Sequence, residues 1–260
     1  MVRLTRRIVL AAWAGRLVIG QVPEPVQALP PAQETPGLFA TQLTVAVDRE
    51  GSRRRFRATA IRVENDLVTI LTAAHCVSEA DKGWPVALLF GGGVVVEGVV
   101  ESATRNPLYR PNQPREIPGP DNAVARLRFR LGKPHAPETP AQAAFRSIRT
   151  IPALSTRFYP GPGGRPVDVR MIDGRGMEHA VLAGNHSNPR WLEWGPSYQP
   201  VPGDSGGGVV VVRPGPDGQP RPILIGVIVG RDDRGGGASL ICLDQAWVAS
   251  ALQPTAPGGS

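Results

Sequence analysis

Cysteine is scarce: the 260-residue chain has two, Cys76 and Cys242, which excludes a disulfide-dense scaffold and any four-cysteine metal site. Lysine is equally scarce, only Lys82 and Lys133, so almost all of the basic charge is arginine. No apolar run reaches the roughly 18 residues needed to span a bilayer, which excludes a multi-pass membrane protein. Long stretches free of Pro and Gly are few, which argues against a helical bundle. No repeat recurs at a solenoid or propeller period.

What is present points the other way. Gly (31) and Pro (28) exceed a fifth of the chain and punctuate many short Val/Ile/Leu runs, the composition of an all-β fold rich in turns. With 41% hydrophobic and 20% charged residues there is enough apolar material for real cores.

The net charge is +7 and the pI near 10.4, which invites a nucleic-acid reading. Where the charge sits weakens that reading. Arg3, Arg6 and Arg7 precede an apolar stretch, Ile8 to Gly20, broken only by Arg16, and Val26-Gln27-Ala28 offers small residues suited to signal-peptidase cleavage. Thr5-Arg6-Arg7-Ile8-Val9-Leu10 also resembles a bacterial twin-arginine export signal. An amphipathic N-terminal helix is the alternative, and Arg16 favours it. Removing residues 1–28 takes away four Arg and one Glu, and the charge falls to +4. No basic-aromatic interleaving or recognition motif accompanies what is left, so no nucleic-acid partner is expected, and export to the periplasm or beyond is. Residues 29–37 read as an irregular leader.

Strand-like runs follow at 41–48, 56–63, 67–72, 86–90, 94–100 and 123–129. A Pro-rich stretch from Gly132 to Pro140 reads as a linker (132–142). Further strand-like runs come near 148–151, 155–159, 167–172, 179–183, 208–212, 223–229 and 238–243. Leu243 to Leu252 reads as a short helix with Pro254 behind it, leaving 253–260 as a tail. The expected class is all-β: two six-stranded β-barrels, 38–131 and 143–252, the second ending in a helix. The basic run Ser52–Arg57 reads as a solvated hairpin tip. His179 and His186 lack a third ligand, so no metal site and no cofactor are expected.

Three segments carry chemistry. Thr72-Ala73-Ala74-His75-Cys76 follows a strand-like run, Asp121-Asn122 leads into another, and Gly203-Asp204-Ser205-Gly206-Gly207 lies between a Pro-rich turn and a third. A serine hydroxyl is a weak nucleophile at neutral pH and needs a base. A histidine supplies one, and a carboxylate on its other nitrogen fixes the tautomer and stabilises the imidazolium.

In this order and in an all-β chain, the segments resemble the trypsin-like (chymotrypsin-fold) serine peptidases, with both pentapeptides matching the family signatures across about residues 38–252. The resemblance implies His75, Asp121 and Ser205 as catalytic residues, the N–H groups of Gly203 and Ser205 as the oxyanion hole, and Gln199, Val229, Gly230 and Arg231 as the substrate-binding region. It implies a monomer that hydrolyses protein or peptide substrates, with no membrane insertion.

The chain departs from the family in several places. Asp204 matches the aspartate that pairs with a newly cut Ile or Val terminus, yet no Ile-Val-Gly-Gly segment lies about 40 residues before His75. Either Asp204 has another partner or maturation differs. Cys76 and Cys242 lack the usual partners, so two buried reduced thiols are expected, with a direct bond between them the alternative. Gln199 stands where the family often has a pocket-base Asp, and the usual Ser-Trp-Gly is absent near Val229. These departures leave a second reading open: a peptidase-fold module that binds protein with little turnover.

Overall fold

The structure is a computed structural model that describes residues 37–111, 120–132, 137–151, 166–185, 190–232, 235–241 and 245–253. A one-turn helix, α1 (Leu38–Thr41), leads into β1 (Gln42–Arg49), β2 (Ser52–Glu64), β3 (Leu67–Thr72), β4 (Pro85–Leu89), β5 (Val95–Arg105) and β6 (Ala123–Phe129). Helix α2 (Pro140–Arg146) precedes β7 (Val167–Ile172), β8 (Glu178–Asn185), β9 (Trp191–Trp194), β10 (Gly208–Pro214), β11 (Pro220–Asp232), β12 (Gly235–Leu240) and the terminal α3 (Gln245–Leu252).

The strands close into two antiparallel barrels, in the orders β1-β2-β3-β6-β5-β4 and β10-β11-β12-β9-β8-β7. The expected all-β class with two six-stranded barrels and a short C-terminal helix is therefore found. Among the described residues no helix is long and apolar enough to cross a membrane.

Local chemistry explains the elements. The hairpin between β1 and β2 turns on Glu50 and Gly51, both at positive φ (47° and 79°), the geometry a tight two-residue connection requires. Helix α2 starts in a capping box, Thr139 Oγ1 accepting from the Gln142 N–H while Gln142 Oε1 accepts from the Thr139 N–H, with Pro140 in the first turn.

Alternation along β3 and β6 builds the junction of the barrels. Val68 and Ile70 of β3, with Ala123, Ala125, Leu127 and Phe129 of β6, fill the first barrel. Leu71 and Val124, on the opposite faces, belong to the core that fills the second barrel. That second face is apolar only where it meets the second core: further along β6 it carries Arg126 and the exposed Arg128. Full burial of a side chain such as Leu71 contributes about 1.5–3 kcal/mol.

Three sequence expectations are corrected. Residues 148–151 form no strand; Ile148 and Ile151 are buried in an irregular segment tied down by Arg149 N–H to Ala40 O (2.9 Å) and Ile151 N–H to Ala60 O (3.1 Å). Strand β9 is an addition, four residues long and carrying two tryptophans. The basic run is not a solvated tip throughout: Arg53, Arg54 and Arg55 are exposed, but Phe56 and Arg57 are buried. The linker range overlaps α2, and the run near 155–159 lies outside the described residues, as do residues 1–36.

Candidate active site

Strand pairing brings the first two candidate residues together. Thr72, the last residue of β3, pairs with Ala123, the first of β6. The chain therefore leaves β3 where it enters β6, and His75 and Asp121 lie at the same end of the same ladder. A turn closed by Cys76 N–H to Ala73 O (3.0 Å) presents His75. Asp121 grips it twice: Oδ2 lies 2.7 Å from His75 Nδ1, and Oδ1 accepts the His75 backbone N–H at 3.0 Å.

The backbone that carries this carboxylate is held from the second barrel. Ser239 Oγ, fully buried on β12, accepts the Asp121 N–H at 3.0 Å and the Asn122 side-chain amide at 3.3 Å. The imidazole is 37% exposed and the Asp121 side chain 17%, so the pair opens to solvent on one side. Burial of the rest of the ring opposes the imidazolium. The Asp121 hydrogen bond, then contacts with Cys76, outweigh it and raise the histidine pKa from 6.5 to about 10.

Ser205 lies three residues before β10 and is held to the first barrel through its backbone. Its carbonyl accepts the Arg57 N–H of β2 at 2.9 Å, and Cys76 Sγ lies 3.8 Å from the same oxygen. The Arg57 carbonyl in turn accepts Thr72 Oγ1 at 2.8 Å. Next to Ser205, Gly206 has φ +86° and could carry no side chain: a Cβ there would stand 2.0 Å from Thr72 Oγ1 and 2.2 Å from the Arg57 carbonyl. Gly206 N–H donates to Ile228 O at 2.7 Å. A further staple runs from Gly208 N–H to Gln42 Oε1 (2.8 Å), with Gln42 also bonded to Thr59 Oγ1. The nucleophile candidate is thus fixed beside the turn that carries His75.

Gly203 has φ +102°, in the region glycine favours, and neither its N–H nor that of Ser205 donates to any group among the described residues. Asp204 is 1% exposed and accepts from Gly174 N–H (2.6 Å), Val201 N–H (2.8 Å) and Tyr198 Oη (2.8 Å). Burial and then the Asp204 carboxylate push the Tyr198 phenol far above its ordinary range, so it remains a donor.

The substrate-region candidates are partly visible. Gln199 is exposed in the irregular segment before Ser205, while Val229 and Gly230 lie half-buried on β11 at a bulge against β12. Arg231 follows them on the same strand. His179 is held by Asp173, its Nε2 lying 3.0 Å from Oδ2, and His186 lies outside the described residues. Cys76 is a free thiol, but half-buried rather than buried as expected, because it sits on the open turn with His75. Cys242 lies outside the described residues.

Ser239, Tyr198, Arg57 and Thr72 were not singled out as site residues from sequence. Only Thr72, inside the His75 pentapeptide, had a local signal; Ser239 and Arg57 reach the site from distant segments, and Tyr198 from six residues before Asp204.

The double barrel fits a chymotrypsin-like fold. No protein-family model matches the chain, and no curated protein matches it.

Proposed function

We propose that this protein is a serine endopeptidase that cleaves protein or peptide substrates through an acyl-enzyme. The observation that carries the reading is the double grip of Asp121 on His75, beside a Ser205 loop held to β2 of the first barrel through Arg57.

In this reading Ser205 Oγ attacks the scissile carbonyl carbon while His75 Nε2 takes its proton. The carbon–nitrogen bond breaks as His75 returns that proton to the leaving amine. Water then attacks the ester by the same proton route, releasing the acid and restoring Ser205. Asp121 stabilises the imidazolium present in both halves. The N–H groups of Gly203 and Ser205, without partners among the described residues, receive the oxyanion; one such donor is worth about 2.7–4 kcal/mol in the transition state. On the same reading Gln199, Val229, Gly230 and Arg231 take up the substrate chain. The protein acts as a monomer after export, with the N-terminal segment as its address.

A library of denatured polypeptides with mapping of the new termini tests the activity. Cleavage that is lost in Ser205→Ala supports the reading. No cleavage by folded wild-type protein, together with measurable affinity for the same polypeptides, favours the binding module instead.

A further inference from the structure

The family resemblance assigns Asp204 a partner from outside the fold, the ammonium of a newly cut chain. In this structure its carboxylate is already occupied. Oδ1 accepts Gly174 N–H at 2.6 Å, and Oδ2 accepts Val201 N–H and Tyr198 Oη, each at 2.8 Å. A carboxylate offers about four acceptor sites. Three are filled and the residue is 1% exposed, which leaves an incoming ammonium one acceptor site and almost no access to it. Gly174 permits its close approach: a Cβ there would stand 2.9 Å from Asp204 Oδ1.

Tyr198 is aimed rather than free to turn. Its ring is stacked on His179 at 4.2 Å and lies near-parallel to Trp194 at 6.3 Å, and its carbonyl accepts Trp194 Nε1 at 2.9 Å. His179 is itself held by Asp173. Asp204 is pinned through its backbone too, Asp204 N–H to Val201 O and Gly207 N–H to Asp204 O, both at 3.0 Å. Every one of these bonds restricts the turn that presents the N–H groups of Gly203 and Ser205.

Arg57 backs the same turn. Its backbone holds Ser205, a Cβ placed on Gly207 would meet its Cβ at 3.3 Å, and its side chain is buried. Nη1 donates to Thr44 Oγ1 at 2.6 Å, whereas Nε and Nη2 have no hydrogen-bond partner among the described residues. Burial opposes the guanidinium charge, and Asp204, then Asp173, favours it.

We propose that Tyr198 replaces the activating amine. Its phenol, with the N–H groups of Gly174 and Val201, holds Asp204, and through it the Gly203–Ser205 turn, so the oxyanion site is formed without a cut. Tyr198 is a positioning residue, and the inference rests on the peptidase reading of Ser205.

The test uses the full chain, a fluorophosphonate label read by intact mass, and p-nitrophenyl acetate as the turnover probe. The uncut chain should label, at the same rate before and after acetylation of its terminal amine. Tyr198→Phe should keep KM within about two-fold and lose about ten-fold or more in kcat, the size expected for one hydrogen bond to a charged group. Labelling only after a cut, loss of labelling on acetylation, or a wild-type kcat in Tyr198→Phe overturns the inference and leaves the peptidase reading standing. Failure of wild-type protein to label, cut or uncut, overturns both. Should Tyr198→Phe not fold, the acetylation comparison decides alone.

Discussion

One carboxylate holds His75 at two points: Asp121 takes the ring nitrogen at 2.7 Å with one oxygen and the backbone N–H of the same residue at 3.0 Å with the other. Ring and chain are therefore oriented together. Asp121→Asn keeps the shape but removes the charge and puts an N–H₂ where an acceptor is needed. We predict a fall in kcat of about 10⁴-fold with KM little changed, as expected when the wrong tautomer is held. Steady-state hydrolysis of a chromogenic ester checks this; a loss under ten-fold would mean that Asp121 orients nothing.

The raised His75 pKa has a defined sign. The base must be neutral to accept the serine proton, so kcat/KM should climb as pH rises from about 6.5 toward about 10. Asp121→Asn should move that limb toward the ordinary histidine value. For stability the direction is opposite. The imidazolium is favoured in the fold, so its contribution is fully present below about pH 6.5 and is lost as pH passes about 10. With the ring 37% exposed, solvent screening keeps this effect small. Melting curves for wild type and His75→Ala at several pH values measure it.

Ser239 couples the barrels by accepting the Asp121 N–H from a position 118 residues later. Ser239→Ala leaves that donor without its partner. We predict a destabilisation of about 1–3 kcal/mol by urea unfolding, accompanied by a lower kcat because the aim of Asp121 loosens. An unchanged kcat would show that the backbone of Asp121 is held by other means.

The strand reading was most accurate where alternation faces a barrel interior. β3, β6 and β7 fall on the expected ranges 67–72, 123–129 and 167–172. It failed at β9, whose four residues are too few to display a period, and at 148–151, where Ile148 and Ile151 reach a core without a ladder. The candidate nucleophile, base and carboxylate were legible because their chemistry demands those residue types in short local motifs. Ser239 and Arg57 were not, since each acts through a fold contact with a distant segment, and Tyr198, though only six residues before Asp204, stands in no motif that marks it. Arg57 was further concealed in a basic run whose other arginines are exposed.

Two glycines with similar φ should respond differently to alanine. Gly206 (φ +86°) has Thr72 Oγ1 and the Arg57 carbonyl within 2.2 Å of a Cβ position, whereas Gly218 (φ +75°) has nothing within 4 Å. Gly206→Ala should cost on the order of 2–4 kcal/mol and displace the Ser205 loop, since overpacking and strain add there. Gly218→Ala should cost about 1–2 kcal/mol, the left-handed conformation alone. Thermal unfolding of the pair, with esterase activity of Gly206→Ala, measures both.

Whether Ser205, served by His75, is a nucleophile is decided by peptide mapping of the folded protein after reaction with a fluorophosphonate. A single adduct on Ser205 is expected, absent in Ser205→Ala and slowed by about 10³-fold or more in His75→Ala. A folded protein that takes up no label, or carries it on another residue, would show that Ser205 is not the nucleophile.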